Sequence, residues 1–252
     1  MHHAYDLDRQ GWLKPHANVL RALSPNQDER PEGDAPTLLV LHNISLPPQE
    51  FGGPYIRDFF QNKLDISAHP WFENIRDLKV SAHFLIQRTG HIIQFVPTTR
   101  RAWHAGVSRF EDRERCNDFS IGIELEGSDF EPFTEAQYRE LSRLSRALRM
   151  RHNLTAVRGH EHIAPGRKTD PGPFFDWERV KREHGWPKET LPEQELEPKP
   201  RAASDQDRYS SAGPISTKVL QPVSAIATSS SARKICRTCA TPAAPAAARP
   251  YI

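Results

Sequence analysis

Apolar and polar residues alternate over the first 186 positions with the periods that strands and helices produce. Residues 79–87 (KVSAHFLIQ) and 92–97 (IIQFVP) flank the segment RTGH, which predicts a β-hairpin that turns at Gly90. Further strands are predicted at 37–42 (TLLVLH), 120–125 (SIGIEL) and 155–159 (TAVRG). These runs are short and bounded by turn residues, so they predict a sheet built from small strands.

One helix is predicted after the strand at 120–125 and another after the strand at 155–159. Thr134 and Gln137 form a capping-box pair, and Tyr138, Leu141, Leu144 and Leu148 follow at near-helical spacing until about Asn153. The segment FDWERVKREHG predicts a last helix that is capped by Asp176 and ends at Gly185. Strands and helices mixed in this order predict an α/β or α+β domain, with a central mixed sheet flanked by helices.

The composition changes sharply after Trp186. Residues 187–252 hold nine of the 22 prolines and only two aromatic residues, and they include a Ser/Ala stretch and the ending ATPAAPAAARPYI. Such a segment cannot bury enough apolar surface to offset the entropy of ordering it. We therefore expect one domain at 1–186 and a disordered Pro/Ala/Ser-rich tail at 187–252. The pair Cys236 and Cys239 in this tail supplies only half of a zinc site, so we interpret it as incidental.

Charge and cysteine content restrict the function classes. The net charge of +2 comes from the tail, with nine basic and six acidic residues, whereas the preceding part has 25 and 26, so no nucleic-acid partner is indicated. The chain has no apolar run of membrane-spanning length and no signal-peptide pattern near its start. Three cysteines are too few for a disulfide framework. These features predict a cytoplasmic protein without a membrane partner, which we expect to be monomeric.

One short segment concentrates the groups that metal-centred hydrolysis needs. GHEHIAPGRKTDPG, residues 159–172, contains His160, Lys168 and Asp170, and His42 ends the apolar run at 37–42. Catalytic zinc takes three protein ligands and leaves a fourth position open, a set that His42, His160 and Asp170 would provide. The alternatives are solvated turn residues for the segment and a core histidine for His42.

Hydrolysis of an amide also needs a base for the attacking water and a cation for the developing oxyanion. Glu124 in the run 120–125 is the candidate base, although Glu126 lies on the same side of the strand and a solvated edge pair is the alternative. Lys168 is the candidate cation because an extended segment would place it on the same face as Asp170; otherwise it is a surface lysine.

Several ordered motifs, spanning about Gly11 to Trp186, closely resemble the 1,6-anhydro-N-acetylmuramoyl-L-alanine amidases of the type 2 amidase family. They are VLHNISLPPQEFGGPYI, AHPWF, KVSAHFLIQRTGHIIQFVP, RAWHAGVS, RERCNDFSIGIELEG and GRKTDPGPFFDW. The resemblance implies the type 2 amidase fold, which peptidoglycan-recognition proteins share. It also implies a zinc amidase that cleaves the lactyl–L-alanine amide of small muropeptides in cell-wall recycling.

Matched residue by residue, the family's roles fall on positions that the chemistry above also selects. The resemblance implies one zinc ion on His42, His160 and Asp170, with Glu124 and Lys168 as catalytic groups. It implies further that Arg115 meets a stem-peptide carboxylate and that Asn43, Trp103 and His104 line the substrate pocket.

The chain departs from the family pattern at Glu161 and His162, where a small or amide pair is usual. His162 is thus a rival ligand, and an extended GHEH would let either histidine reach the metal. We favour His160 because it follows Gly159, whose missing side chain permits close backbone approach, and because it matches the family's ligand. Two other functions stay open: an amidase acting on intact peptidoglycan, and a non-catalytic peptidoglycan-binding module.

Overall fold

The computed structural model describes residues 5–192, whose centre is a mixed β-sheet with helices against both faces. The strands are β1 (Val19–Arg21), β2 (Gln27–Asp28), β3 (Leu38–Ile44), β4 (Phe84–Ile86), β5 (Ile92–Gln94), β6 (Arg101–Ala102), β7 (Arg109–Phe110), β8 (Arg113–Glu114), β9 (Ser120–Glu126) and β10 (Ala156–Gly159). The α-helices are α1 (Tyr55–Phe60), α2 (Glu135–Arg151), α3 (His160–Ile163) and α4 (Trp177–Glu183). Four 3-10 helices are Ile66–Ala68, Pro70–Ile75, Cys116–Asp118 and Lys188–Thr190.

The main sheet has the strand order β1-β5-β4-β9-β3-β10. Strands β4, β9, β3 and β10 are mutually parallel, whereas β5 and β1 run in the opposite direction. Strands β2 and β6, and β7 and β8, form two small antiparallel pairs. Ligands commonly bind at the carboxyl ends of parallel strands. His42 and Glu124 lie near those ends in β3 and β9, and His160 follows β10 directly.

Strand β9 presents a different kind of residue on each of its faces. Ile121, Ile123 and Leu125 join the hydrophobic core that contains the buried side of α2. Because side chains alternate along a strand, Ser120, Gly122, Glu124 and Glu126 lie on the opposite face. His42 pairs with Glu124 in the parallel register, so these two side chains leave the sheet side by side. β9 is also a central strand, so the edge-strand interpretation of its carboxylates is wrong.

The predicted elements are confirmed with small changes in their bounds. The hairpin turns at Gly90, whose φ of +88° favours glycine, and pairs β4 with β5. Its first strand starts only at Phe84, since Ser81 hydrogen-bonds to Trp103 outside the hairpin. Helix α2 has the complete predicted capping box, and α4 is capped by Asp176. No helix among residues 5–192 is long and apolar enough to span a membrane.

The packed region extends six residues past the predicted boundary at Trp186. Leu191 is buried in the main core, and the Arg158 guanidinium donates a hydrogen bond to the Thr190 carbonyl at 2.9 Å. A single leucine among prolines and charges does not alter the local composition, so composition alone does not reveal that Leu191 is buried. The remainder of the predicted tail, 193–252, with its Cys236 and Cys239 pair, lies outside the described residues.

Truncation tests whether the packed domain extends beyond Trp186 to Leu191. We expect a chain ending at Pro192 to keep the stability and activity of the full chain, because the removed segment has the composition of an unstructured tail. A chain ending at Trp186 should lose about 1.5–3 kcal/mol of unfolding free energy, the usual contribution of one fully buried leucine. Urea unfolding of both truncated chains measures the difference. Equal stability would show that Leu191 does not contribute to the core.

Candidate active site

A cavity of about 210 Å³ opens at the carboxyl ends of the parallel strands. Its wall includes the side chains predicted as metal ligands and catalytic groups: His42, Glu124, His160, Lys168 and Asp170. These residues come from β3, β9, α3 and the loop after α3, so the parallel sheet brings together positions as far as 128 residues apart.

Three of these groups form a compact triangle of donor atoms. His42 Nδ1 lies 3.1 Å from His160 Nδ1 and 2.9 Å from Asp170 Oδ2, and His160 Nδ1 lies 3.1 Å from the same carboxylate oxygen. Ligand atoms about 2.0–2.1 Å from a tetrahedral zinc are about 3.3 Å apart, so a small outward movement would accommodate the ion. Within residues 5–192 this is the group of His, Cys, Asp or Glu side chains whose spacing could hold a metal ion.

The protonation states in this triangle suit a cation. Burial and, to a smaller extent, the neighbouring His160 lower the pKa of His42 to about 4 against the opposing effect of Asp170, so the His42 ring is neutral at pH 7. Burial acts to raise the pKa of Asp170, but His160 and the hydrogen bonds from both histidines outweigh it, and the pKa lies well below its ordinary value. Neutral imidazole and ionised carboxylate are the forms in which these side chains bind metals.

The segment that carries His160 is helical, so the premise of an extended GHEH is wrong. Strand β10 ends at Gly159, where an added Cβ would lie 2.6 Å from Pro171 Cδ. The chain then turns into the single turn of α3, which begins at His160. The backbone N–H of Gly159 donates a hydrogen bond to His162 Nδ1 at 2.9 Å, and the His162 ring packs edge-on against Trp177. His162 therefore points back toward the start of α3, away from the triangle.

This geometry predicts different outcomes for the two histidines of GHEH. His160→Ala should lose the metal, whereas His162→Asn should keep the metal and most of the activity, since an amide can still accept the hydrogen bond from Gly159. Mass spectrometry of the purified native proteins measures the bound metal. A metal-free His162→Asn together with a metal-loaded His160→Ala would reverse the assignment.

Glu124 is buried beside the triangle and has little support from hydrogen bonds. Its Oε2 atom has no hydrogen-bond partner among the described residues. Burial raises the pKa of Glu124 well above its ordinary value, the Asp170 carboxylate raises it further, and Lys168 opposes both. A carboxylate held this way is poised to take up a proton, which is the property of a general base.

Glu126, the rival of Glu124, has a structural role. One carboxylate oxygen accepts a hydrogen bond from the Gly52 N–H at 2.6 Å, and the other accepts one from the Arg88 N–H at 3.0 Å. Glu126 thus joins the loop before α1 to the β4–β5 turn. It does not line the cavity.

Lys168 lies in the cavity wall together with Asp170 and Glu124. Burial lowers the pKa of Lys168 and Arg167 lowers it further, while the carboxylates of Asp170 and Glu124 act in the opposite direction. Its neighbour Thr169 is fixed by a hydrogen bond to Asp129 at 2.5 Å, which anchors the segment from Lys168 to Asp170. The cation therefore faces the same cavity as the triangle and Glu124.

Comparisons with known proteins identify the family. Residues 32–173 match the family model described as N-acetylmuramoyl-L-alanine amidase. The chain is 55% identical over 174 residues to the 1,6-anhydro-N-acetylmuramyl-L-alanine amidase AmpD of Citrobacter freundii. This alignment covers 68% of this chain and 91% of the relative. It is also 55% identical to the enzyme of the same name from Escherichia coli K12, with 68% and 93% coverage.

This chain belongs to the N-acetylmuramoyl-L-alanine amidase family. The fold agrees with that assignment. A crystal structure of a selenomethionine AmpD derivative superposes with a TM-score of 0.66 at 54% identity, and it covers 70% of this chain and 97% of the other. The predicted α/β fold with a mixed central sheet is thereby confirmed.

The amidase places three of the four predicted substrate-binding residues in the cavity wall. Asn43, Trp103 and His104 line it. The Asn43 amide nitrogen is already occupied, since it donates hydrogen bonds to Asp129 at 2.7 Å and to the Pro171 carbonyl at 3.1 Å. His104 is largely buried, and its Nδ1 lies 3.0 Å from His42 Nε2.

Arg115 is the predicted residue that the amidase does not bring to the cavity. Its side chain is 69% exposed, pairs with Asp118 at 3.2 Å and sits on backbone with a φ of +60°. It is absent from the described cavity wall. Its role toward a substrate carboxylate stays a prediction.

Other polar residues of the wall were not predicted. Lys79, Ser81, Asn117 and Arg167 all line the cavity. The Asn117 Oδ1 atom accepts hydrogen bonds from the N–H groups of His104 at 3.1 Å and Ala105 at 2.8 Å. No local sequence signal reveals such a bond, since its partners are 12 and 13 residues away.

Proposed function

We propose that this amidase is zinc-dependent and hydrolyses the amide between the lactyl group of 1,6-anhydro-N-acetylmuramic acid and L-alanine of the stem peptide. The main support is the triangle of His42, His160 and Asp170 donor atoms beside a buried carboxylate that lacks a partner. The names of the most similar relatives supply the substrate class. The expected setting is recycling of muropeptides by a monomer in the cytoplasm, and the low cysteine content with the free, buried Cys116 supports such a reducing compartment.

The donor set fits zinc better than the harder divalent cations. Two imidazole nitrogens and one carboxylate oxygen are a common catalytic zinc set, whereas magnesium and calcium prefer oxygen ligands throughout. A bound zinc ion acts as a Lewis acid that polarises the scissile carbonyl and makes water more acidic. His42, His160 and Asp170 would hold it and leave the cavity side open to the substrate.

Glu124 would act as the base that moves protons. Its carboxylate leaves β9 beside His42, so it can reach a water molecule at the triangle. The raised pKa makes Glu124 a stronger base than an exposed carboxylate, while the positive charge of Lys168 favours the ionised form that accepts the proton. The same carboxyl group can then donate that proton to the departing L-alanine nitrogen, which must be protonated to leave as an amine.

Lys168 would stabilise the oxyanion that develops on the amide oxygen. An ammonium group held in a partly buried wall interacts strongly with a developing negative charge because water competes less there. The Asp170 and Glu124 carboxylates favour the charged form of Lys168, which is the form that this role needs.

The role of Glu124 predicts a change in stability with pH. At a pH below the pKa that Glu124 has in the unfolded chain, its carboxyl group is neutral in both the folded and the unfolded state. As the pH rises through the raised pKa of the folded state, the protein loses unfolding free energy because the buried group must become charged. In chelator-treated protein, Glu124→Gln should therefore raise Tm at pH 8 and change it little at pH 4. Each kcal/mol gained corresponds to about 2–4 °C.

The matched control for this change is Glu126→Gln. It removes a carboxylate that accepts two backbone hydrogen bonds, so it should lower Tm at pH 8. Differential scanning calorimetry at the two pH values measures both variants. A lower Tm at pH 8 for Glu124→Gln would mean that this carboxylate stabilises the fold and is not held for chemistry.

Substrate assays separate this function from its two rivals. We expect peptide release from a purified anhydromuropeptide, inhibition by a chelator, and recovery on adding zinc. Faster release from intact peptidoglycan than from the anhydromuropeptide would favour an amidase of the polymer. Tight binding of the muropeptide by zinc-loaded protein, without release of the peptide, would favour a recognition module. The presence of acidic, basic and metal-binding groups in one cavity supports catalysis instead.

A further inference from the structure

His104 connects His42, the proposed metal ligand, to Ser120 in β9. Its Nδ1 lies 3.0 Å from His42 Nε2, and its Nε2 lies 3.1 Å from the Ser120 hydroxyl. The ring is nearly perpendicular to that of His42. The His104 ring is therefore held at both nitrogens, and at 9% exposure the residue offers little surface to a substrate.

The protons in this chain have one consistent arrangement. When His42 uses Nδ1 for a metal, its proton resides on Nε2 and needs an acceptor. His104 Nδ1 is that acceptor, so His104 carries its own proton on Nε2 and donates it to the Ser120 hydroxyl oxygen. The His160 ring follows the same rule with a simpler partner, because its Nε2 lies 3.0 Å from the Ala105 carbonyl, which can only accept.

Two further residues fix the place of the His104 ring. A Cβ at Gly122 would lie 2.5 Å from His104 Cγ, so the ring lies against the bare backbone of β9. Asn117 holds the backbone N–H groups of His104 and Ala105 with one amide oxygen. Because His104 supports His42 and Ala105 supports His160, this two-residue segment contacts both histidines of the triangle.

We propose that His104 is a positioning residue of the metal centre, which holds His42 in the Nε2–H tautomer so that Nδ1 faces the metal. Ser120 orients His104, and Gly122 makes room for its ring. This inference rests on the proposed zinc site and replaces the expectation that His104 binds substrate. It differs from a packing role because it depends on a hydrogen-bond acceptor at one defined position.

A pair of substitutions isolates that acceptor. His104→Asn places an amide oxygen near the present position of Nδ1, whereas His104→Leu has similar bulk and accepts no hydrogen bond. Chelator competition on the full chain gives the zinc Kd of each protein. We expect His104→Leu to bind zinc about 10- to 100-fold more weakly, the usual effect of losing such a partner, and His104→Asn to stay close to the parent.

A second readout uses the zinc-loaded protein, because without the metal the Asp170 carboxylate would accept the proton of His42 Nδ1. ¹H–¹⁵N correlation spectra detect the Nε2 proton of a histidine whose Nδ1 binds a metal. We expect the His42 Nε2 proton to be hydrogen-bonded and slow to exchange with water in the parent and in His104→Asn, and to exchange faster in His104→Leu. Ser120→Ala removes only the hydroxyl that contacts His104 Nε2, so it should weaken zinc binding by a smaller factor. This variant replaces His104→Leu in the test if His104→Leu does not fold.

The outcomes separate this inference from the proposed function. Parent-like zinc affinity and an unchanged exchange rate of the His42 Nε2 proton in His104→Leu would overturn the positioning role and leave the zinc amidase intact. Equal weakening by His104→Asn and His104→Leu would also overturn it, since bulk rather than the acceptor would then matter. A parent that binds no zinc would instead contradict the proposed function itself.

Discussion

Replacing His42 by alanine is expected to remove both the bound zinc and measurable turnover. The substitution deletes one corner of the donor triangle, so only His160 and Asp170 would hold the ion, one protein ligand fewer than a catalytic zinc site normally has. It also leaves His104 Nδ1 without its partner. The loss should therefore affect affinity as well as geometry.

The measurement is metal content together with peptide release, both on purified and folded protein. His91→Ala is the matched control, because His91 is an exposed histidine in the β4–β5 turn. It should keep the parent's metal content and activity. Stoichiometric zinc in His42→Ala would show that the ligand assignment is wrong.

Lys168→Met is expected to separate catalysis from metal binding. Loss of one group that stabilises an oxyanion typically lowers kcat about 100- to 1,000-fold, or roughly 2.7–4 kcal/mol, and the methionine keeps the bulk of the side chain. Zinc content should not change, since Lys168 is not one of the three donors. Glu124→Gln should behave in the same way, because an amide cannot accept the proton of the attacking water.

Steady-state kinetics on an anhydromuropeptide, with zinc quantified in the same samples, tests both variants. Lys181→Met is the control for the lysine, since Lys181 lies on the exposed side of α4. Near-normal kcat in Lys168→Met would move the oxyanion role to another donor of the wall. Near-normal kcat in Glu124→Gln would mean that another group takes the proton.

The sequence predicts the fold well wherever a local rule determines the structure. Gly90 adopts a positive φ at the hairpin turn, and Thr134 with Gln137 forms the capping box of α2. In both cases the decisive contacts lie within a few residues. The apolar run that becomes β3 is predictable for the same reason, since its burial follows from its composition.

Features that depend on distant contacts are harder to predict. The direction of His162 depends on α3 and on Trp177, which is 15 residues later, and spacing in an extended segment gives the wrong answer. Leu191 is buried although its neighbours have the composition of a tail. The contact of His104 with His42 spans 62 residues, so a pattern of neighbours cannot distinguish a support for the metal centre from a pocket residue.

The candidate site could be predicted from the sequence only in part. Its residue types and their order along the chain suggest zinc chemistry, and the parallel pairing of His42 with Glu124 gives that suggestion a geometry. The choice between Glu124 and Glu126 needed the structure, because both lie on one face of β9. What separates them is that backbone N–H groups occupy Glu126, while Glu124 has an oxygen without a partner.

The most direct test of the central claim is a zinc titration of the metal-free enzyme, with peptide release from an anhydromuropeptide measured at each addition. We expect no turnover without metal, a linear rise of turnover with added zinc, and a break at one zinc ion per chain. Full turnover in protein from which zinc is shown to be absent would contradict that claim.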